Sequence, residues 1–195
     1  MARALEVVRA RLVTPDICYH RSFLTALKEY HAEGEHLEVD AERLADEAEF
    51  ARYVEALHDD ARSGGALWRY LKGLRGSAPW VAPSAGWTLQ TALWWVADDE
   101  YLGRVNIRHW LTQDLLRRGG HIGYEVRPTA RGRGHATAML AAALPLAAQI
   151  GIDPAHIDCD AGNLASRRVI EKNGGRLERE ENGSLYFLVP TRPLG

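Results

Sequence analysis

Arg131-Gly132-Arg133-Gly134-His135-Ala136-Thr137 is the stretch on which the reading of this chain turns. It lies between a strand-like run ending at Val126-Arg127-Pro128 and an alanine-rich, helix-favouring run from Thr137 to Ile150. A glycine-bearing turn that leaves a strand and opens a helix aims several backbone N–H groups at one spot. The helix N-terminus adds partial positive charge there, so the turn is built to hold a phosphate or pyrophosphate. Two arginines inside it raise the affinity for a polyanion.

Outward from this turn, hydrophobic periodicity and punctuation residues predict the remaining elements. Leu5 to Val13 reads as a first strand, and Thr14-Pro15-Asp16 as a helix start ahead of Phe23, Leu24, Leu27 and Tyr30. His31 to Asp40 is a polar loop, Ala41 to His58 a second helix, and Ala66 to Leu74 a short third. Ser77 to Gly86, with Pro79 and Pro83, reads as a loop. Thr91 to Ala97 and Gly103 to Trp110 form a hairpin turning at Asp98-Asp99-Glu100. After a connection from Leu111 to Gly120 comes a strand, His121 to Arg127, then the turn and its helix. Pro145 is expected to kink or end that helix. His156 to Cys159 is a buried strand, and Leu164 to Lys172 a helix closed by Asn173-Gly174-Gly175. Arg176 to Glu180 and Ser184 to Val189 pair about the turn Asn182-Gly183. The order is mixed α/β with an antiparallel start, unlike the regular strand–helix alternation of a doubly wound nucleotide fold.

The 195 residues suit one domain with a substantial core. The N-terminus lacks the apolar core of a secretion signal, and Cys18 and Cys159 suggest neither a disulfide framework nor a CxxC metal site, so a cytoplasmic protein is expected. No apolar run approaches the length needed to span a bilayer, and a net charge of −2 argues against nucleic-acid binding. That charge is uneven. Residues 1–100 carry 11 Lys and Arg against 17 Asp and Glu, whereas residues 101–195 carry 13 against 9. The acidic stretch from Glu33 to Asp60 is either a solvated helix face or a field that attracts a cationic amine.

The turn matches neither common nucleotide motif. Gly132-Arg133-Gly134 is followed at the third position by Thr137 instead of glycine or alanine, and no Gly-Lys-Ser/Thr follows. Arg131-x-x-Gly134-x-Ala136 instead resembles the Q/R-x-x-G-x-G/A signature of the GCN5-related N-acetyltransferases, which bind acetyl-CoA. Asn163 to Gly175 is similar to that family's next helix with its Asn-Gly end, and the spacing from Val126 to the signature fits as well. The likeness covers roughly residues 87–190; His121 to Pro128 resembles a poorly characterised bacterial subgroup of the family.

The resemblance implies an α/β fold whose central sheet is mixed and mostly antiparallel, of about six or seven strands flanked by helices. It implies a single domain over 1–195, with 1–86 shaping the acceptor side and 87–195 forming the acetyl-CoA-binding core. Backbone of Arg131, Gly132, Arg133, Gly134, His135, Ala136 and Thr137 would hold the CoA pyrophosphate. The pantetheine arm would pair near Val126 and Arg127 like an added strand, touching Asn163, with Ser166 and Arg167 towards the nucleotide. The implied activity is direct acetyl transfer to an amine of a small molecule or peptide within a ternary complex, without a metal; a homodimer stays open. Many relatives carry a tyrosine acid in the later helix, but the equivalent position here is Ile170. His121, Tyr124 and Glu125 are therefore the catalytic candidates, with His121 the side chain expected to titrate near neutral pH. His121 and Glu125 should share one strand face and Tyr124 the other. Trp94 and Trp95 should likewise face opposite ways, one inward and one outward, and Trp80, Trp87, Trp110, Arg108 and His109 flank the acceptor side. Two rivals remain: a non-catalytic acyl-CoA sensor and a nucleotide-binding module.

Overall fold

The computed structural model describes residues 10–63 and 88–192. The predicted helix at Ala66 to Leu74, the loop at Ser77 to Gly86, Trp80 and Trp87 lie outside them, as does the first strand before Ala10. The described chain runs β1 (Arg11–Val13), α1 (His20–Ala32), α2 (Glu47–Ser63), β2 (Gln90–Ala97), β3 (Glu100–Arg108) and α3 (Gln113–Arg117). It continues with β4 (Ile122–Val126), α4 (His135–Gln149), β5 (Ala155–Asp160), α5 (Leu164–Lys172), β6 (Arg176–Glu181) and β7 (Ser184–Val189). No helix among the described residues is long and apolar enough to cross a membrane.

Capping residues account for most differences from the sequence reading. The helix expected from Ala41 is broken in two, a 3₁₀ turn at Arg43–Ala45 followed by α2. The Asp40 carboxylate accepts the N–H groups of Glu42 and Arg43, and Asp46 accepts those of Ala48 and Glu49, so each aspartate starts its own segment. Thr112 likewise caps α3 inside what reads as a plain connection. Pro145 neither ends nor interrupts α4, which continues to Gln149. Its ring sits on the exposed side, where the Ala141 carbonyl left without an N–H partner can turn to water.

Seven described strands form two hydrogen-bonded sheets, β1-β2-β3-β4 and β5-β7-β6, with every adjacent pair antiparallel. The larger sheet is covered on both faces. Phe23, Leu27 and Tyr30 of α1 and Phe50, Tyr53 and Leu57 of α2 pack with Trp94 and Tyr101 on one side. Met139, Leu140, Ala143 and Ala147 of α4 pack with Leu93, Trp95, Val105 and Val126 on the other. Trp94 and Trp95 do face opposite ways, but both are buried because neither face is open to water.

Register places the polar groups. Trp94 lies opposite Arg104, and Arg104 opposite Glu125, so these three cross the sheet as one row facing α1 and α2. Leu93, Val105 and Tyr124 form the neighbouring row on the α4 face. Tyr124 and Glu125 thus leave the same strand in opposite directions.

Candidate active site

The turn before α4 has the conformation its glycines predict. Gly132 and Gly134 have φ of 75° and 84°, in the left-handed region that costs other residues roughly 1–2 kcal/mol. Gly134 is the N-cap of α4 and offers no side-chain cap, so the N–H groups of His135, Ala136 and Thr137 open the helix with no acceptor inside it. Those donors and the helix dipole converge on one exposed spot. Of the two arginine arms, only Arg133 stands exposed with no ion pair among the described residues. Arg131 turns back, donating Nε–H to the Val126 carbonyl at 3.0 Å and reaching Glu33 at 2.7 Å and Glu35 at 3.4 Å. Its side chain therefore clamps the loop after α1 and leaves the cradle to backbone. The His135 ring is also tied back, with Nδ1 accepting the Trp95 indole N–H at 3.2 Å.

β4 and β5 start together and then part. At their common end, His121 N–H donates to the His156 carbonyl at 2.7 Å, and His156 N–H donates to His121 Nδ1 at 3.0 Å. Arg108 braces this junction by donating to the carbonyls of Gly119 and Gly120. Gly120 has a φ of 54° and packs so closely on the His156 carbonyl that a Cβ would collide with it. Beyond the junction the two strands belong to different sheets, which makes a fork. Arg127 N–H bonds to Leu102 O and Arg108 N–H to His121 O, so the odd residues of β4 face β3. Alternation then turns the backbone of Tyr124 and Val126 towards the fork.

Several expected side chains serve this frame. His121 is pushed down to about 4 by burial, with His156 and Arg108 adding to the effect, so it is neutral at physiological pH and engaged as an acceptor. That corrects its reading as a base titrating near neutrality. Arg127 is 5% exposed and ion-paired to Glu29 and Glu100, with its N–H already given to Leu102. Its guanidinium and its N–H are thus both engaged within the protein frame. Arg108 and His109 are structural as well, since His109 Nε2 meets the Thr91 hydroxyl at 2.8 Å. Trp110 is half exposed just beyond the end of β3.

On the α4 face, the Tyr124 hydroxyl lies 2.8 Å from Ser166 Oγ and 3.3 Å from the Ser166 carbonyl, beside Cys159. Burial pushes this phenol up to about 12, so it stays protonated and able to donate. Asn163 caps α5 by accepting the Ser166 N–H at 3.0 Å, which fixes Ser166 against the tyrosine. Arg167 pairs with Glu171 along the exposed side of α5, and Ile170 is fully buried.

On the opposite face Glu125 accepts from Arg104 Nε at 2.6 Å and meets His36 Nε2 at 2.7 Å. Burial works to raise its carboxyl, but Arg104 and His36 outweigh burial and hold it below the usual carboxylate range. Glu125 is thus a fixed anion and a poor base. His36 is raised above its ordinary value by the Glu125 carboxylate, against burial and Arg104. It comes from the loop after α1 with a φ of 54°, a strained conformation for a histidine. Tyr30 packs edge-on against its ring, and the Tyr30 hydroxyl is buried with no hydrogen-bond partner among the described residues, beside a cavity of about 10 Å³. The sequence reading passed over His36 because its key contact spans 89 positions, which no local spacing can announce.

Residues 23–176 match the acetyltransferase (GNAT) domain family. Among solved structures, a RimL ribosomal L7/L12 alpha-N-protein acetyltransferase in complex with coenzyme A is similar, at 16% identity and a TM-score of 0.55 over 92% of each chain. The microcin C7 self-immunity acetyltransferase MccE, in complex with acetyl-CoA and AMP, matches at 14% identity and a TM-score of 0.56 over 93% of this chain and 92% of its own. Mycobacterium smegmatis RimJ matches at 19% and 0.59 over 95% of this chain and 83% of its own. No curated protein matches the sequence.

Proposed function

The chain belongs to the GNAT acetyltransferase family, whose members are acetyl-CoA-dependent enzymes, and from that premise we propose that it transfers the acetyl group directly to an amine of a small molecule or peptide within a ternary complex. The observation that carries this reading is the fork between β4 and β5. It opens beside an exposed helix start and presents the backbone edge of Tyr124 and Val126.

Acetyl-CoA supplies the activated acyl group, and the residues present suit it. The N–H groups of His135 to Thr137 bind the pyrophosphate, and Arg133 adds charge next to them. The edge of β4 pairs with the pantetheine amides as a further strand would, while Asn163 and Ser166 line the other arm of the fork. The Val126 N–H donates to the carbonyl oxygen that gains charge as the amine adds. Tyr124, held by Ser166, gives its proton to the departing sulfur in place of the helix tyrosine that Ile170 replaces. Glu38, Asp40 and Glu42 follow His36 and favour a cationic acceptor.

The test is release of the CoA thiol from acetyl-CoA in the presence of a panel of primary amines, with thermal shift by CoA measured in parallel. Amine-dependent thiol release is expected. Stabilisation by CoA without release from any amine makes the protein a sensor, and stabilisation by NAD but not CoA overturns the cradle assignment.

A further inference from the structure

We propose that His36 is the base that removes the proton from the acceptor amine, with Glu125 as its positioning residue; this rests on the amine acetylation proposed above. Four observations lead there. His36 is held out of the ordinary backbone range, and the strain serves to bring an imidazole from the α1–α2 loop onto the centre of β4. The carboxylate that receives it is itself fixed by Arg104, giving the base–orienter arrangement of nucleophilic and proton-transfer sites. The loop that carries His36 is also tied to the Val126 end of β4. A single guanidinium, that of Arg131, bridges the Val126 carbonyl and Glu35, the residue before His36. Finally, among the described residues the Tyr30 hydroxyl ends unpartnered in the cavity that His36, Arg104 and Glu125 line. A polar group buried without a partner marks a place where a further polar group belongs.

The contacts identify the working nitrogen. Nε2 keeps its hydrogen and donates it to Glu125. Nδ1 lies 3.4 Å from Arg104 Nη2, which only donates, and 3.4 Å from Glu38 Oε1, which only accepts. Neutral His36 satisfies the first contact and protonated His36 the second, so Nδ1 is the atom that gains and loses a proton. As the amine nitrogen bonds to the acetyl carbon, Nδ1 takes its proton and passes it by way of the exposed Glu38 to solvent. The carbon–sulfur bond breaks, and the sulfur takes the Tyr124 proton, which water restores. The groups facing His36 are Tyr30 of α1, Tyr53 of α2, Tyr101 and Arg104 of β3, Glu125 of β4, and Glu38 of its own loop. Glu125 dominates, so the active neutral form is depleted at a pH above that of a free histidine.

The test combines pH–rate profiles with chemical rescue. His36→Asn keeps a residue that tolerates positive φ, and His36→Gly leaves room for a small base. Both should retain the CoA-induced thermal shift and the KM for acetyl-CoA while kcat near neutral pH falls ~100-fold or more. The ascending limb of the wild-type kcat/KM profile should vanish in H36N, and free imidazole should restore turnover to H36G but not to H36N. In Glu125→Gln that limb should move to lower pH. A rate in H36N close to wild type with the limb intact overturns the proposal. So does a loss in both variants that imidazole cannot repair and that removes the CoA shift too, since His36 is then only structural. A wild-type protein that binds CoA and acetylates no amine is a different failure, and it sinks the underlying reading.

Discussion

Replacing Arg127 by methionine tests how the cradle is anchored. Arg127 is 5% exposed; it pairs with Glu29 of α1, lies 3.1 Å from Glu100, and donates to the Tyr101 carbonyl at 3.3 Å. Glu29 also accepts from the Thr129 N–H and hydroxyl, so one carboxylate ties α1 to the turn that leads into Arg131. Methionine keeps the aliphatic stem but leaves Glu29 without its cation and the Tyr101 carbonyl short of a donor. Breaking a buried pair from one side costs about 3–5 kcal/mol. The Glu29 side chain is 18% exposed and retains Thr129, which places R127M at the lower end, about 3 kcal/mol. For a chain of this size that lowers Tm by roughly 6–12 °C. The double variant R127M/E29Q should regain part of the loss, because no charge is then stranded. The pH dependence has a definite sign. Arg127 holds the Glu29 carboxyl below its ordinary range, against burial and with help from Thr129. Its stabilisation is therefore present above the unfolded carboxylate value and is lost as pH falls through the folded one. R127M should flatten that acid limb in urea titrations followed by circular dichroism. A variant within about 1 kcal/mol of wild type, with the acid limb unchanged, refutes the reasoning.

Three further outcomes follow from the same geometry. Gly134→Ala should cost roughly 1–2 kcal/mol for its left-handed φ; it should also raise the KM for acetyl-CoA, read by denaturation and steady-state kinetics, and an unchanged KM argues against the cradle. Tyr124→Phe should lower kcat ~100-fold while leaving the CoA thermal shift in place, whereas a wild-type kcat removes Tyr124 as the acid. His121 is depressed to about 4, so the unfolded chain binds a proton that the folded chain refuses between its ordinary value and that point. Stability should therefore fall as pH drops through this window, and His121→Asn should flatten the fall in a Tm-against-pH series.

Local physics made much of this protein readable. The glycines at 132 and 134 need φ that few residues adopt, Asn163 announces a helix start, and the Asn182-Gly183 turn fixes a hairpin register; each is decided within a few residues of itself. The conformation of the turn, the order of the strands from β2 onward, and the opposite facing of Tyr124 and Glu125 were accordingly legible from one-dimensional pattern. Charge and titration were not. Arg131 looked like an anion-binding arm and Arg127 like part of a strand edge for the pantetheine, but Glu33 and Glu35 reach the first, and Glu29 the second, from nearly a hundred residues away. His121 looked titratable until the meeting of β4 and β5 buried it. His36 gave no signal at all, because what distinguishes it is a carboxylate on β4 and an arginine on β3. Backbone conformation answers to neighbours in sequence, whereas a proton's affinity answers to neighbours in space; only the folded chain sets the latter.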